Sequence, residues 1–237
     1  MVAPVGLSYS QKHLQVNTPV VRLDDPEHEL AIYASGDWHG WRSKAATKEP
    51  WTFDWLKTIG TGVFYDVGAC VGSYSLMAAA RGATVIAFEP VPWNYAECVA
   101  NVYLNSLENR IAVLPVAVGA EDGTAIIKHP GGPTPGFGEG GRRTWTPTWD
   151  LRIPMVRLGD PSLPKPTHVK IDVEGQEIDV LRGMDFDGVE SLIVELKDQD
   201  NEADAFVILQ AHGFESTWHG GERTEKQRTH IFRRKSC

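Results

Sequence analysis

The chain has 237 residues, 42% of them hydrophobic, enough for one large core and too apolar for global disorder. Its formal net charge of -8 excludes a general nucleic-acid binder, whose phosphate contacts need clustered Lys and Arg. Three scattered cysteines without a Cys-x-x-Cys pair exclude a zinc ribbon and a disulfide framework, and fit a reducing compartment.

Residues 1–50 are expected to form an N-terminal extension. Within it, Val20–Leu23 and Leu30–Tyr33 read as two strands around the acidic turn Asp24-Asp25-Pro26, a β-hairpin packed on the main domain. Trp38-His39-Gly40-Trp41 follows, read either as a substrate-facing loop or as core packing. Residues 51–237 read as one domain. Trp51, Trp55 and Ile59 stand at helical spacing, with Gly60 as the C-cap. Strands at Val63–Val67, Thr84–Phe88 and Ile111–Pro115 then alternate with helices at Tyr74–Arg81 and Trp93–Leu104. Val116-Ala117-Val118-Gly119 is expected to close the third of these strands. Such alternation with short loops implies parallel strands and crossover helices, an α/β fold.

Thr124–Lys128 is a short strand. The segment 129–148 is dense in Gly and Pro and carries Phe137, Arg142, Arg143 and Trp145, a composition no regular element uses. It reads equally as a substrate loop, its arginines suiting an anionic group, or as a plain insertion. Ile153–Leu158 is a further strand. Val169–Asp172, Ser191–Leu196, Phe214–Trp218 and Thr229–Arg234 complete the strands, with helices at Gln176–Arg182 and Asn201–Ala211 and a polar link at 219–228. No run approaches the roughly 20 apolar residues that span a bilayer, and the N-terminus lacks a signal-peptide pattern, so a cytoplasmic protein without a membrane partner is expected.

The chemistry is centred on Asp66-Val67-Gly68-Ala69-Cys70-Val71-Gly72, where a strand turns into a helix. This is Asp-x-Gly-x-x-x-Gly, not the three-glycine fingerprint that admits a pyrophosphate. An acid beside the turn suits a cationic amine or a ribose hydroxyl. Glu89 ends the next strand about twenty residues on, where an acid can bind ribose hydroxyls. Asp66, Glu89, Asp172, Glu174 and Glu195 all fall at or beyond strand ends. Five carboxylates on one edge need a positive partner, either a cationic ligand or a metal.

These residues resemble the FkbM family of S-adenosylmethionine (SAM) dependent methyltransferases. The resemblance is carried by Tyr65-Asp66-Val67-Gly68-Ala69-x-x-Gly72, by Phe88-Glu89-Pro90, and above all by Lys170-Ile171-Asp172-Val173-Glu174-Gly175-x-Glu177. Val180-Leu181-Arg182-Gly183 and Leu192–Leu196 continue it, over roughly residues 51–214. It implies a Rossmann-like class I methyltransferase fold: a mostly parallel seven-stranded sheet, helices on both faces, and an antiparallel C-terminal edge hairpin. It implies SAM as cofactor, with Ala117 near the adenine, and a small-molecule or sugar hydroxyl as acceptor. Many members carry Leu-Asp after the strand that here ends Leu158-Gly159-Asp160, which leaves the role of that acid open.

Position assigns the remaining roles. Gly68 and Gly72 shape the loop around the amino-acid part of the cofactor, Asp66 orients that loop and is a candidate to meet the cofactor's amine, and Glu89 is expected to take both ribose hydroxyls. Asp172 lies where the transferable methyl is expected. Asp172, Glu174 and Glu195 are the candidate bases, since no His stands at a matching strand end. Glu174 and Glu177 also fit a helix N-terminus, where acids complement the dipole. His168 opens its strand and reads as structural. Two or three carboxylates without His are a weak metal signal, and no metal is assigned. The competing readings are an NAD-type oxidoreductase and a cofactor-binding module without catalysis.

Overall fold

The apolar runs between Val63 and Leu196 become the strands of a sheet with both faces covered. The structure is a computed structural model, and it describes residues 19–33, 39–128, 150–196, 199–224 and 227–235. The Gly/Pro-rich segment 129–148 and Trp38 lie outside the described residues.

The elements in chain order are β1 (Val20–Arg22), β2 (Ala31–Tyr33), α1 (His39–Arg42), α2 (Ala45–Lys48), α3 (Pro50–Leu56), β3 (Val63–Val67), α4 (Ser73–Ala80), β4 (Thr84–Phe88) and α5 (Pro92–Leu104). There follow β5 (Ile111–Leu114), β6 (Ala117–Val118), β7 (Gly123–Lys128), β8 (Asp150–Val156), β9 (His168–Ile171), α6 (Glu177–Arg182), β10 (Ser191–Leu196), α7 (Gln199–Ala211), β11 (Phe214–Thr224) and β12 (Gln227–Arg234).

Among the described residues, seven strands form the main sheet in the order β11-β12-β10-β9-β3-β4-β5. The five strands from β10 to β5 in that order are parallel, and β12 runs antiparallel to both β10 and β11. This is the mostly parallel sheet with an antiparallel edge that the resemblance implies. Alternate side chains serve opposite cores. On one face Phe64, Val85, Ala87 and Ile193 pack with Trp55 and Leu56 of α3 and Leu76 and Met77 of α4. On the other, Tyr65, Val67, Phe88, Ile171 and Val194 pack with Val180 and Leu181 of α6 and Leu209 of α7.

Several elements differ from the expectation. Residues 116–119 do not complete β5. Pro115 has no N–H to donate, so the ladder ends at Leu114, and β6 instead pairs with β8 in a separate sheet of order β6-β8-β7. The helix expected over 51–59 stops at Leu56, and Thr58 and Ile59 continue only as a turn, their N–H groups donating to the Trp55 and Leu56 carbonyls at 2.9 and 3.4 Å. The segment 219–228, expected as a link, is mostly strand: Gly220 pairs with Thr229 and Thr224 with Gln227. His168 is buried, its Nδ1 2.9 Å from Ser191 Oγ, which also accepts from Trp55 Nε1 at 3.0 Å.

The N-terminal strands β1 and β2 pair with each other and are tied to α5 by amides. Asn105 Oδ1 accepts from Ala31 N–H at 2.9 Å, and Asn101 Oδ1 accepts from Tyr33 N–H at 2.8 Å. Asp24 receives the N–H groups of Ala46 and Thr47 at 2.9 and 2.7 Å. Asp25 is fully covered and paired with Arg81 of α4. Among the described residues, no helix is long and apolar enough to cross a membrane.

Candidate active site

Parallel strands leave their carboxyl ends on one edge, and the turns that follow define what stands there. The β3–α4 turn is built on a close approach. Gly68 has φ +85°, and a Cβ added there would lie 1.9 Å from the carbonyl oxygen of Asp172. The turn after β3 therefore rests directly on the turn after β9, and only glycine permits it. Gly72, also at φ +85°, precedes the first residue of α4, and a Cβ there would meet Cys98 Sγ of α5 at 2.7 Å.

Beside this turn opens a cleft of about 740 Å³, within the range of small-molecule sites. Gly68, Phe88 and Glu89 line one side. Ala117 and Val118 with Ile126 of β7 and Met155 of β8 form an opposite wall, so the small sheet serves the site. Asp172 and Glu174 close the end next to β9. The cleft thus gathers Gly68, Glu89, Ala117, Asp172 and Glu174. Gly72, Asp66 and Glu195 are not in its lining.

Glu89 is 4% exposed and firmly held. Its Oε2 accepts from Cys70 N–H at 2.7 Å, its Oε1 from Val91 N–H at 2.9 Å and from Asn94 Nδ2 at 3.5 Å. Burial pushes its carboxyl up to about 7, against the N–H bonds that favour the ionised form. Asp66 is completely buried beneath the turn. Its Oδ2 accepts from Ser75 Oγ at 2.6 Å, while its Oδ1 has no hydrogen-bond partner. Burial raises its pKa, opposed by the charge of Lys170.

Asp172 stands just past β9, with its N–H bonded to Val67 O at 3.0 Å and its carboxylate 3.1 Å from Lys170 Nζ. Glu174 is exposed and has φ +60°, a conformation unusual outside glycine. Glu177 is fully buried and its Oε1 accepts from Gly175 N–H at 2.7 Å, which pins the turn between β9 and α6. Glu195 lines a separate, water-sized cavity with Glu49, Thr52, Lys170, Asp172 and Thr229. Asp172 alone among the expected acids borders both spaces.

Lys170 is the residue that sequence reasoning missed. It supplies, from within the chain, the positive charge expected among the acids. The signal was present: a lysine inside the apolar run His168-Val-Lys-Ile171 must be buried, and a buried ammonium needs carboxylates around it. Glu49 and Asn94 were missed as well, since neither belongs to a motif.

Residues 66–216 match the Methyltransferase FkbM domain. Methyltransferase 1 of Beauveria bassiana is 27% identical over 177 residues, covering 63% of this chain and 70% of that protein. The hexuronic acid methyltransferase AglP of Haloferax volcanii is 31% identical over 128 residues, or 52% of this chain and 49% of that protein. Among solved structures, a ribosomal protein L11 methylase from Lactobacillus delbrueckii subsp. bulgaricus aligns with a TM-score of 0.50 at 14% identity, covering 82% of this chain and 80% of its own. An FkbM methyltransferase from Methylobacillus flagellatus aligns with a TM-score of 0.48 at 18% identity, covering 72% and 43%. The domain match takes in more than half of the chain, from the acid of the β3–α4 turn through the start of the edge hairpin, and the chain therefore belongs to the FkbM methyltransferase family.

Proposed function

We propose that this methyltransferase uses SAM to methylate a hydroxyl oxygen of a small molecule or sugar. The observation that carries the reading is Glu89: a buried, immobilised carboxylate in the wall of a cleft of the right size. Three of its four acceptor positions are taken by Cys70, Val91 and Asn94, and Oε2 keeps one for a hydroxyl such as a ribose offers. The donor set fits the rest of the cofactor. Phe88 and Val118 offer apolar surface for a base, Ala117 its backbone, and the Gly68 turn a close backbone approach for the amino-acid part.

When bound, SAM would supply a methyl group on a good leaving group. The chain's own part is then alignment and proton removal. Holding the acceptor oxygen in line with the methyl is worth at best about 7–11 kcal/mol. Asp172 is the base that takes the hydroxyl proton, with Glu174 beside it in the same cleft as the alternative; Glu195 lies on the far side of Asp172. The sugar acceptor is favoured by the relative named for a hexuronic acid.

Titration calorimetry with SAM and with NAD tests the cofactor: heat with SAM alone is expected, and heat with NAD alone would return the oxidoreductase reading. A radiolabelled methyl-transfer screen over sugars, polyols and phenols tests the acceptor, and no transfer to any of them would favour a binding module.

Glu89→Ala is expected to weaken SAM at least about tenfold, the loss of a charge-assisted hydrogen bond in the cleft wall. Unchanged affinity would remove Glu89 from the site. The raised pKa also sets a pH dependence. Between 4.5 and about 7 the folded chain holds a proton at Glu89 that the unfolded chain has released, so this group's contribution to stability falls as pH rises through that window. Hydroxyl donors prefer the ionised form, so SAM affinity should rise from about pH 6 to about pH 8. Calorimetry at both ends checks this, with Glu89→Gln expected to flatten the dependence.

A further inference from the structure

Lys170 is an interior ammonium to which the proposed reaction assigns no task. It is 4% exposed, in mid-strand on β9, and register sets it between Asp66 on β3 and Ile193 on β10. Its Nζ lies 3.1 Å from Asp172 Oδ2 and 5.1 Å from the centroid of the Tyr74 ring on α4. Glu49, just before α3, and Glu195 of β10 line the small cavity it borders. Burial works to discharge it, but the charges of Asp172, Asp66, Glu49 and Glu195 hold its pKa above the ordinary lysine value.

Such a cluster is a poor way to gain stability, because well-packed apolar residues of similar volume usually do as well or better. Its geometry has a different use. Of the acids around Lys170, only Asp172 also borders the cofactor cleft. The ammonium is bonded to Asp172 Oδ2, and Asp172 also lines the cleft.

We propose that Lys170 is a positioning residue for methyl transfer, a fixed internal cation that keeps the Asp172 carboxylate ionised and aimed into the cleft. This rests on the reading of Asp172 as the base. Among the described residues, the other charged groups that line these two spaces are acids, Glu49 and Glu195 in the small cavity and Glu89, Glu121, Glu174 and Asp179 in the cleft, while Asp66 acts on Asp172 through its charge. Each of them is an acid, which can be negative or neutral but not positive, so none of them can replace Lys170 in this role.

The test reads Asp172 directly in the full chain without cofactor. Aspartate labelled with ¹³C at the carboxyl carbon is titrated by NMR, the Asp172 signal being the one lost in Asp172→Asn. Removing a neighbouring cation disfavours the charged form, so Lys170→Met is expected to raise the Asp172 midpoint by about one pH unit or more. Lys170→Gln, less disruptive among buried acids, is expected to raise it likewise. An unchanged midpoint in either folded variant overturns the proposal, and similar rises in both are expected because both remove the same positive charge. The unaltered chain gives a second measurement through the ¹⁵Nζ signal of Lys170. An ammonium that loses its proton at or below the ordinary lysine range would also overturn it. SAM calorimetry on the same samples keeps the two ideas separable: absent heat in the unaltered chain removes the cofactor reading, whereas the midpoints concern Lys170.

Discussion

Asp172→Asn is expected to cut methyl-transfer turnover by about 10²–10⁴-fold while the chain stays folded and still binds SAM. The substitution is close to isosteric. An asparagine oxygen can still accept from Lys170 Nζ, 3.1 Å away in the parent, and the N–H bond to Val67 O is a backbone bond that the change does not touch. The Gly68 contact is likewise with the Asp172 carbonyl, so the turn geometry survives. What is lost is an acceptor for the hydroxyl proton at the junction of cleft and buried cluster. Radiolabelled transfer under saturating SAM measures the loss, and a melting curve with calorimetry confirms fold and binding. Wild-type turnover would move the base to Glu174, which shares the cleft.

Arg81→Met should destabilise the fold by about 3–5 kcal/mol, the usual cost of stranding one partner of a buried pair. Arg81 Nη1 and Nη2 hold both oxygens of Asp25, at 2.6 and 3.0 Å, and Nη2 also reaches Glu27 at 2.7 Å. The Arg81 side chain is 8% exposed and that of Asp25 is 0% exposed. Methionine keeps the apolar stem near Phe53, over which the guanidinium lies at 4.9 Å, but leaves Asp25 buried without its cation. For a domain of this size the loss corresponds to a fall in Tm of about 10 °C, read by thermal unfolding. The pair also predicts the acid limb of stability. Burial would raise the Asp25 pKa, but the Arg81 bonds and the Glu27 N–H outweigh it and hold the group below its ordinary 3.8. Its contribution is therefore full above pH 3.8 and is lost as pH falls through the lowered value. An unchanged Tm would show that the N-terminal strands are held by the asparagine contacts to α5 instead.

The central sheet was legible because a strand buried on both faces has little choice of composition. Val63–Val67, Thr84–Phe88 and Ser191–Leu196 are apolar runs bounded by Gly, Pro or charge, and the structure gives them the same bounds. Legibility failed where the pattern is interrupted. Pro115 diverts the chain into a second sheet, and the apolar residues after it look the same in either location. The two short helices before α3 have four residues each, too few for a period to show. The Gly68 turn was legible because its backbone geometry permits few residue types, and Glu89 because it ends a strand at the same edge. Lys170 was not, since a motif gives order along the chain and not which side chains meet beneath the surface. The separation of Glu195 from the cleft is of the same kind: strand-end position gives the edge, whereas the covering element, here Glu49 and Thr52, decides which space the acid faces.

The pairing of β7 with β8 carries a consequence for how acceptor choice could change between relatives. Lys128 stands opposite Asp150 as the last rung of an antiparallel ladder. Whatever joins those two positions begins and ends on neighbouring strands of the small sheet, and Ala125, Ile126 and Ile127 of β7 line the cleft. Closing a longer or shorter connection there changes the entropy only logarithmically, by about 0.6 kcal/mol per doubling. A change of length there is therefore expected to move the melting temperature of the scaffold by only a few degrees, read by thermal unfolding.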